Sequence, residues 1–268
     1  MKRAIWAIFA TLCLACGSST GSGVADFQAA ASGPEGAIAG QTLSFDTSEG
    51  WHVELGTAKM HIGAIYLSGD SPSSPSPAAA VSDCILPGDY VAEVVEGRDI
   101  DLLSSKPQLF PVLGHGTVGA ALSAQVWLTG GDVNDPDDPA QPTVVLQLKG
   151  QATHALVQRR FQAALTIANN RVDSQSAIAG SDPLCSERIV SPIPTSLQIE
   201  TSGSLLLRID PRRLFNHVDF GALVNQNEDG SYAFTDSREA TDPPSVALYG
   251  NLKATGPLYR FSWVPGPN

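Results

Sequence analysis

Apolar and polar residues alternate with a period of two along much of this chain, in short runs closed by Gly, Pro, Asp or Asn. Trp51, Val53 and Leu55 share one side of such a run, with His52 and Glu54 on the other. Farther on, Val157, Phe161, Ala163, Leu165 and Ile167 oppose Gln158, Arg160, Gln162 and Thr166. Leu197, Ile199 and Thr201 alternate with Gln198 and Glu200, and further runs cover 90–96, 118–128, 144–148, 205–209 and 258–264. Successive side chains of a strand point to opposite faces, so each run reads as a half-buried strand. An amphipathic helix needs apolar residues three and four apart, and no long stretch shows that spacing. Many short strands separated by turn residues predict an all-β fold, a β-sandwich. One or two short helices are expected to cap it. Asp210-Pro211 and Asp242-Pro243 each put an N-cap acceptor before a proline suited to a first helical turn. Leu214 and Val218 follow the first, and Val246, Tyr249 and Leu252 follow the second.

Charge excludes one large class of partner. Asp and Glu number 27 against 16 Lys and Arg, for a formal net charge of −11. Phosphate backbones are gripped by basic patches, so an acidic chain with scattered arginines is not expected to bind nucleic acid. Charged residues make up 16% of the chain, too few for a coiled coil or a charge-driven disordered protein.

The N-terminus reads as an address. Lys2 and Arg3 precede the apolar run Ala4 to Ala15, AIWAIFATLCLA, which is 12 residues long. A spanning helix needs about 20 apolar residues, so this is a secretory signal region, 1–15, that belongs outside the fold. The run ends Cys13-Leu14-Ala15-Cys16 and is followed by Gly17-Ser18-Ser19. It resembles the signal peptides of bacterial lipoproteins, in which a small residue precedes a cysteine that is acylated and becomes the mature N-terminus. Ala15 and Cys16 match that pattern, while Cys13 and Leu14 depart from its usual Leu and small residue. The resemblance implies lipidation of Cys16, a membrane partner through the lipid, and a body in the cell envelope facing the periplasm or the cell surface. Cleavage removes Lys2 and Arg3 and takes the formal charge from −11 to −13. Residues 16–40 are rich in Gly, Ser and Ala and read as the acylated cysteine with a flexible tether. The globular domain is then expected over 41–268. Within it, Leu86-Pro87-Gly88-Asp89-Tyr90 looks like the turn that starts a strand in transthyretin-like and immunoglobulin-like modules.

The mature body retains Cys84 and Cys185. Outside the cytoplasm an even pair tends to oxidise, and a disulfide here would close a loop of about 100 residues, worth up to about 4.7 kcal/mol. Free thiols or metal ligation are the alternatives.

Candidate metal ligands fall in two places. If Gly56-Thr57 were the centre of a type II′ hairpin, His52 would face His61 with Cβ atoms about 4.5–5.5 Å apart, close enough to share copper or zinc. His115, between Gly114 and Gly116, is the candidate third ligand. Unbroken strand through 51–67 is the alternative. The second place is Asn225-x-Asn227-x-Asp229-Gly230-x5-Asp236, which has the spacing of a calcium-binding EF-hand loop. It carries Asn at position 1 and the short Asp at position 12, and the bland reading is an Asp-Gly turn entering a strand. A second acidic loop, 132–138, reads as a solvated hairpin tip. Two letter matches lack the strand–turn–helix setting their chemistry needs: Gly17-x-Ser19-x-Gly21 and Gly114-x-Gly116-x-x-Gly119. No convergent catalytic set is visible. The expectation is therefore a non-enzymatic, lipid-anchored envelope protein that binds a partner protein or serves a structural role. A lipoprotein binding copper, zinc or calcium is the alternative.

Overall fold

The computed structural model describes residues 23–71, 89–128, 143–166, 189–236 and 242–266. Cys16, Cys84, Cys185, Leu86 to Gly88 and the acidic loop at 132–138 lie outside the described residues. The described chain is mostly strand, as the alternation predicts. In chain order the strands are β1 (Val24–Ser32), β2 (Leu43–Asp46), β3 (His52–Ile62), β4 (Ala64–Ser68), β5 (Tyr90–Val94), β6 (Arg98–Asp101), β7 (Gln108–Leu109) and β8 (Gly114–Thr117). They continue with β9 (Gly119–Trp127), β10 (Val144–His154), β11 (Val157–Thr166), β12 (Ile189–Ile199), β13 (Gly203–Ile209), β14 (Tyr232–Ala233) and β15 (Tyr259–Pro265). No helix among the described residues is long and apolar enough to cross a membrane.

Two sheets form the sandwich. The larger runs β12-β9-β4-β5-β8-β1-β13-β15, with β7 also paired to β1. Its end strands β12 and β15 approach each other, so the sheet curls back on itself. The smaller runs β14-β11-β10-β3-β2, with β6 paired to β3. The chain steps from one sheet to the other at Gly63, between β3 and β4. Inner faces meet in one apolar core containing Phe27, Leu207 and Ile65 from the larger sheet and Leu55, Met60 and Phe161 from the smaller.

Residues 55–58 show how one local irregularity keeps that core continuous. The hairpin expected at Gly56-Thr57 is absent, and β3 runs through it for 11 residues. Against β10, Lys149 pairs with Thr57 and Gly150 with Leu55, so Gly56 is an extra residue, a β-bulge. The bulge resets the alternation. Val53 and Leu55 point inward before it, and Ala58, Met60 and Ile62 point inward after it. Strict alternation would have turned the second group to solvent.

The expected tether is also corrected. Val24–Ser32 is strand β1, in the interior of the larger sheet. It pairs antiparallel with β8 through Val24–Phe27 and parallel with β13 through Gln28–Ser32. Ala25, Phe27, Ala29 and Ala31 are buried. Alanine is a weak strand former with little apolar area, so the run carried a poor sequence signal. Small residues are what the site requires. A Cβ at Gly114 would lie 2.3 Å from the Phe27 ring, so β8 must be bare there. Phe27 also meets Trp263 edge-on, with centroids 5.1 Å apart.

Both expected caps are present. Asp210 precedes a 3₁₀ segment, Pro211–Phe215, and accepts from the Arg212 N–H at 3.2 Å. Asp242 precedes helix α1 (Pro243–Lys253) and accepts from the Ser245 N–H at 3.2 Å. The first is a 3₁₀ segment of five residues, followed by a second, Phe220–Ala222, that buries Phe220. Phe215, Phe220 and Phe234 pack around Phe161 with centroids 4.9–5.9 Å away. Asn251 of α1 donates to the carbonyls of Leu214 and Asn216 at 2.9 and 2.7 Å, which pins the segment.

Replacing Phe27 with Ala is expected to lower the unfolding free energy by about 3–5 kcal/mol, as for other buried aromatics. Urea denaturation reads this, and an unchanged midpoint would return residues 24–32 to the role of a tether.

Candidate functional site

The structure separates the histidines proposed as a metal site. His52 and His61 lie nine residues apart on one strand, roughly 30 Å at 3.3 Å per residue. The Gly56 bulge leaves both on the outer face, but the hairpin that would have opposed them does not form. His115 is on β8, in the other sheet. Each histidine instead faces a carboxylate directly across a strand pair. His52 Nδ1 lies 2.8 Å from Asp46, His61 Nδ1 2.7 Å from Asp99, and His115 Nδ1 2.7 Å from Asp26. These are in-register partners, Asp46↔His52, His61↔Asp99 and Asp26↔His115. The other nitrogen of His61 is buried against the backbone, where a Cβ on Gly97 would sit 2.9 Å from it. His115 is thus held in a ladder, not in a mobile glycine loop.

The segment with EF-hand spacing is a turn followed by a strand. Asp229 Oδ1 accepts from the Ser231 N–H at 2.9 Å and its hydroxyl at 2.6 Å, with Gly230 at φ +78°. Those hydrogen bonds hold the Asp229 carboxyl below its ordinary value. Asn227 donates to the Ser231 hydroxyl at 2.9 Å, and Asn225 donates to the Thr235 hydroxyl. Asp236 turns to β11, accepting from the Thr166 N–H at 3.0 Å and its hydroxyl at 2.8 Å. Tyr232–Ala233 then pairs with β11. Asn225, Asn227, Asp229 and Asp236, the residues expected as calcium ligands, thus stitch the segment to itself and to β11. Among the described residues no group of three His, Cys, Asp or Glu side chains is placed to hold a metal ion.

What the structure does bring together is arginine. Arg208 on β13 and Arg260 on β15 are direct cross-strand partners. Their neighbours Leu207, Ile209 and Tyr259 point into the core, so both guanidiniums stand on the outer face. Arg212 and Arg213 enter from the 3₁₀ segment that Asp210 caps. All four line one cleft of about 400 Å³, with Glu35 and Asp210. Asp210 takes Arg212 in a two-pronged grip, 2.7 Å to Nε and 2.8 Å to Nη2. This raises the Arg212 guanidinium further above its ordinary value. Arg213 stands 3.8 Å from the same carboxylate, and Arg208 donates to Glu35. Arg260 forms no ion pair among the described residues. By contrast, a cleft of about 440 Å³ over the smaller sheet sets Lys149 and Arg160 against Glu54 and Asp229.

The four arginines escaped the sequence reading because β13, the 3₁₀ segment and β15 meet only in the folded sheet. A partial signal was present in Arg208-Ile209-Asp210-Pro211-Arg212-Arg213, a basic concentration in an acidic chain.

Fold and cleft together define an all-β sandwich with a cationic groove on its larger sheet. No protein-family model matches the chain, and no curated protein matches it. Among solved structures it is similar to MbnP from Methylosinus trichosporium, at 11% identity over 91% of this chain and 99% of that one, with a TM-score of 0.41. A likeness this distant says nothing about function.

Asp236→Ala is expected to lower stability by about 1–3 kcal/mol, because it removes the carboxylate that accepts from both the N–H and the hydroxyl of buried Thr166. The loss should be equal with and without added calcium in urea denaturation. A calcium-dependent stabilisation abolished by the substitution would contradict this account of 225–236.

Proposed function

We propose that this chain is a lipid-anchored protein of the bacterial cell envelope, whose β-sandwich body acts by binding, without chemistry on its ligand. The observation that carries the reading is the leader, two basic residues and an apolar run ending Leu14-Ala15-Cys16. The position of β1 supports a close attachment. Cys16 precedes Val24 by eight residues, and an extended chain of that length reaches at most about 29 Å. An acylated Cys16 would therefore hold the sandwich near the bilayer. Several acyl chains on one cysteine anchor stably, because each buried CH₂ contributes about 0.8 kcal/mol. The partner of the body is taken up by its surface, and among the described residues the arginine cleft gathers four guanidiniums on that surface.

Expression of Cys16→Ser in a bacterial host is expected to give an unlipidated protein in the soluble fraction. Wild type should label with radioactive palmitate and sediment with membranes. Membrane association that survives the substitution would overturn the anchor.

A further inference from the structure

We infer that the cleft at the β13–β15 end of the larger sheet is an anion-binding site, for a phosphate dianion carried on a small organic body. Four guanidiniums face two carboxylates there, a net charge of +2, in a protein whose formal charge is −11. The charge is concentrated by register as well as by proximity. Arg208 and Arg260 are opposed across one strand pair, and like charges so placed repel unless an anion lies between them.

The two carboxylates leave part of the cluster unanswered. Asp210 is engaged by the fork of Arg212, and Glu35 by Arg208. Arg213 reaches Asp210 only at 3.8 Å, and the Arg260 side chain forms no ion pair or hydrogen bond among the described residues. A bound phosphate would supply the missing partners. Its oxygens match the planar fork of arginine two at a time, and its two negative charges match the excess. The cleft, at about 400 Å³, has room for more than a bare phosphate, and Pro34, Pro257 and Phe261 in its wall offer apolar contact to the rest of a ligand.

Place in the fold bears on the source of the phosphate. Pro34 and Glu35 follow the C-terminal end of β1, and Ser32 at that end pairs with Arg208. The chain from Cys16 enters at the other end of the same strand, roughly 30 Å away for nine residues. If Cys16 is acylated, the groove opens at the end away from the anchor, which favours a soluble phosphate ester over a headgroup of the anchoring leaflet. The site itself does not depend on the anchor, since its residues all belong to the folded body.

The test is calorimetric titration of the full-length chain in nonionic detergent with glycerol 3-phosphate, at fixed low chloride. One site is expected. Arg260→Gln and Arg213→Gln should each weaken binding about tenfold or more, the scale of one lost charge-assisted contact. Lys59→Gln, which removes an exposed charge from β3 of the smaller sheet, should leave it unchanged. Without ligand, Arg260→Gln should melt no lower than wild type, since it relieves a like-charge pair. The ester should raise the melting temperature of wild type and not of the variant. Binding confined to nanodiscs with phosphatidic acid in phosphatidylcholine, and lost in Arg260→Gln, assigns the same site to a lipid headgroup. Failure to bind either form, or binding indifferent to Arg260→Gln, overturns the inference. Cys16→Ser protein should bind as wild type does, so a failed anchor and a failed groove are separately visible.

Discussion

The structure depends on the insertion of β1 between β8 and β13. Without it the larger sheet falls into two pieces, because β13 and β15 reach the remaining strands along the hydrogen-bonded path only through β1. The insertion is sterically narrow. Alanines line the buried side of the strand, Phe27 fills the space left by Gly114, and Trp263 of β15 closes over its edge. The parallel pairing with β13 joins residues 28–32 to residues 204–208, so the first described strand finds its partner only after most of the chain exists. Loop closure over that span costs entropy before the contact rewards it, the setting in which sheet proteins fold slowly.

The same strand organises the charge. Its C-terminal end aligns Ser32 with Arg208, whose other neighbour is Arg260. Beyond Ile209 the chain turns at Asp210, which caps the 3₁₀ segment and grips Arg212 at once. One carboxylate thus does structural and electrostatic duty, and among the described residues it shares with Glu35 the tempering of the four arginines. Elsewhere on the outer faces the opposite rule holds. His52, His61 and His115 each sit beside an in-register aspartate, and Lys149 and Arg160 share a cleft with Glu54 and Asp229. In the groove, by contrast, four guanidiniums share two carboxylates among the described residues.

Period-two alternation made β3, β5, β9, β10, β11, β13 and β15 legible but not β6, β7, β8 or the first half of β12, which are short or rich in Gly and Pro, and the Asp-Pro pairs made both caps legible as local consequences of backbone geometry. Three things were not local. Alanine-rich β1 carries too little apolar contrast to announce a strand, and only Gly114 and β13 make it one. Gly56-Thr57 suits a hairpin or a bulge equally, and the register against β10 decides between them. The oxygen spacing at 225–236 matches a calcium loop in letters, yet Ser231 and Thr166 engage those side chains first. For the candidate site, Arg208 to Arg213 could be seen as a basic run, but Arg260 joins it only through the β13–β15 ladder.

Native-state hydrogen exchange across β1 tests the central claim most directly. If Phe27 to Ala31 is an interior strand, its amides open only with the whole sandwich and exchange as slowly as the most protected amides of β3 and β10. Exchange of those residues at the rate of an unfolded peptide, while β3 and β10 remain protected, would contradict the account.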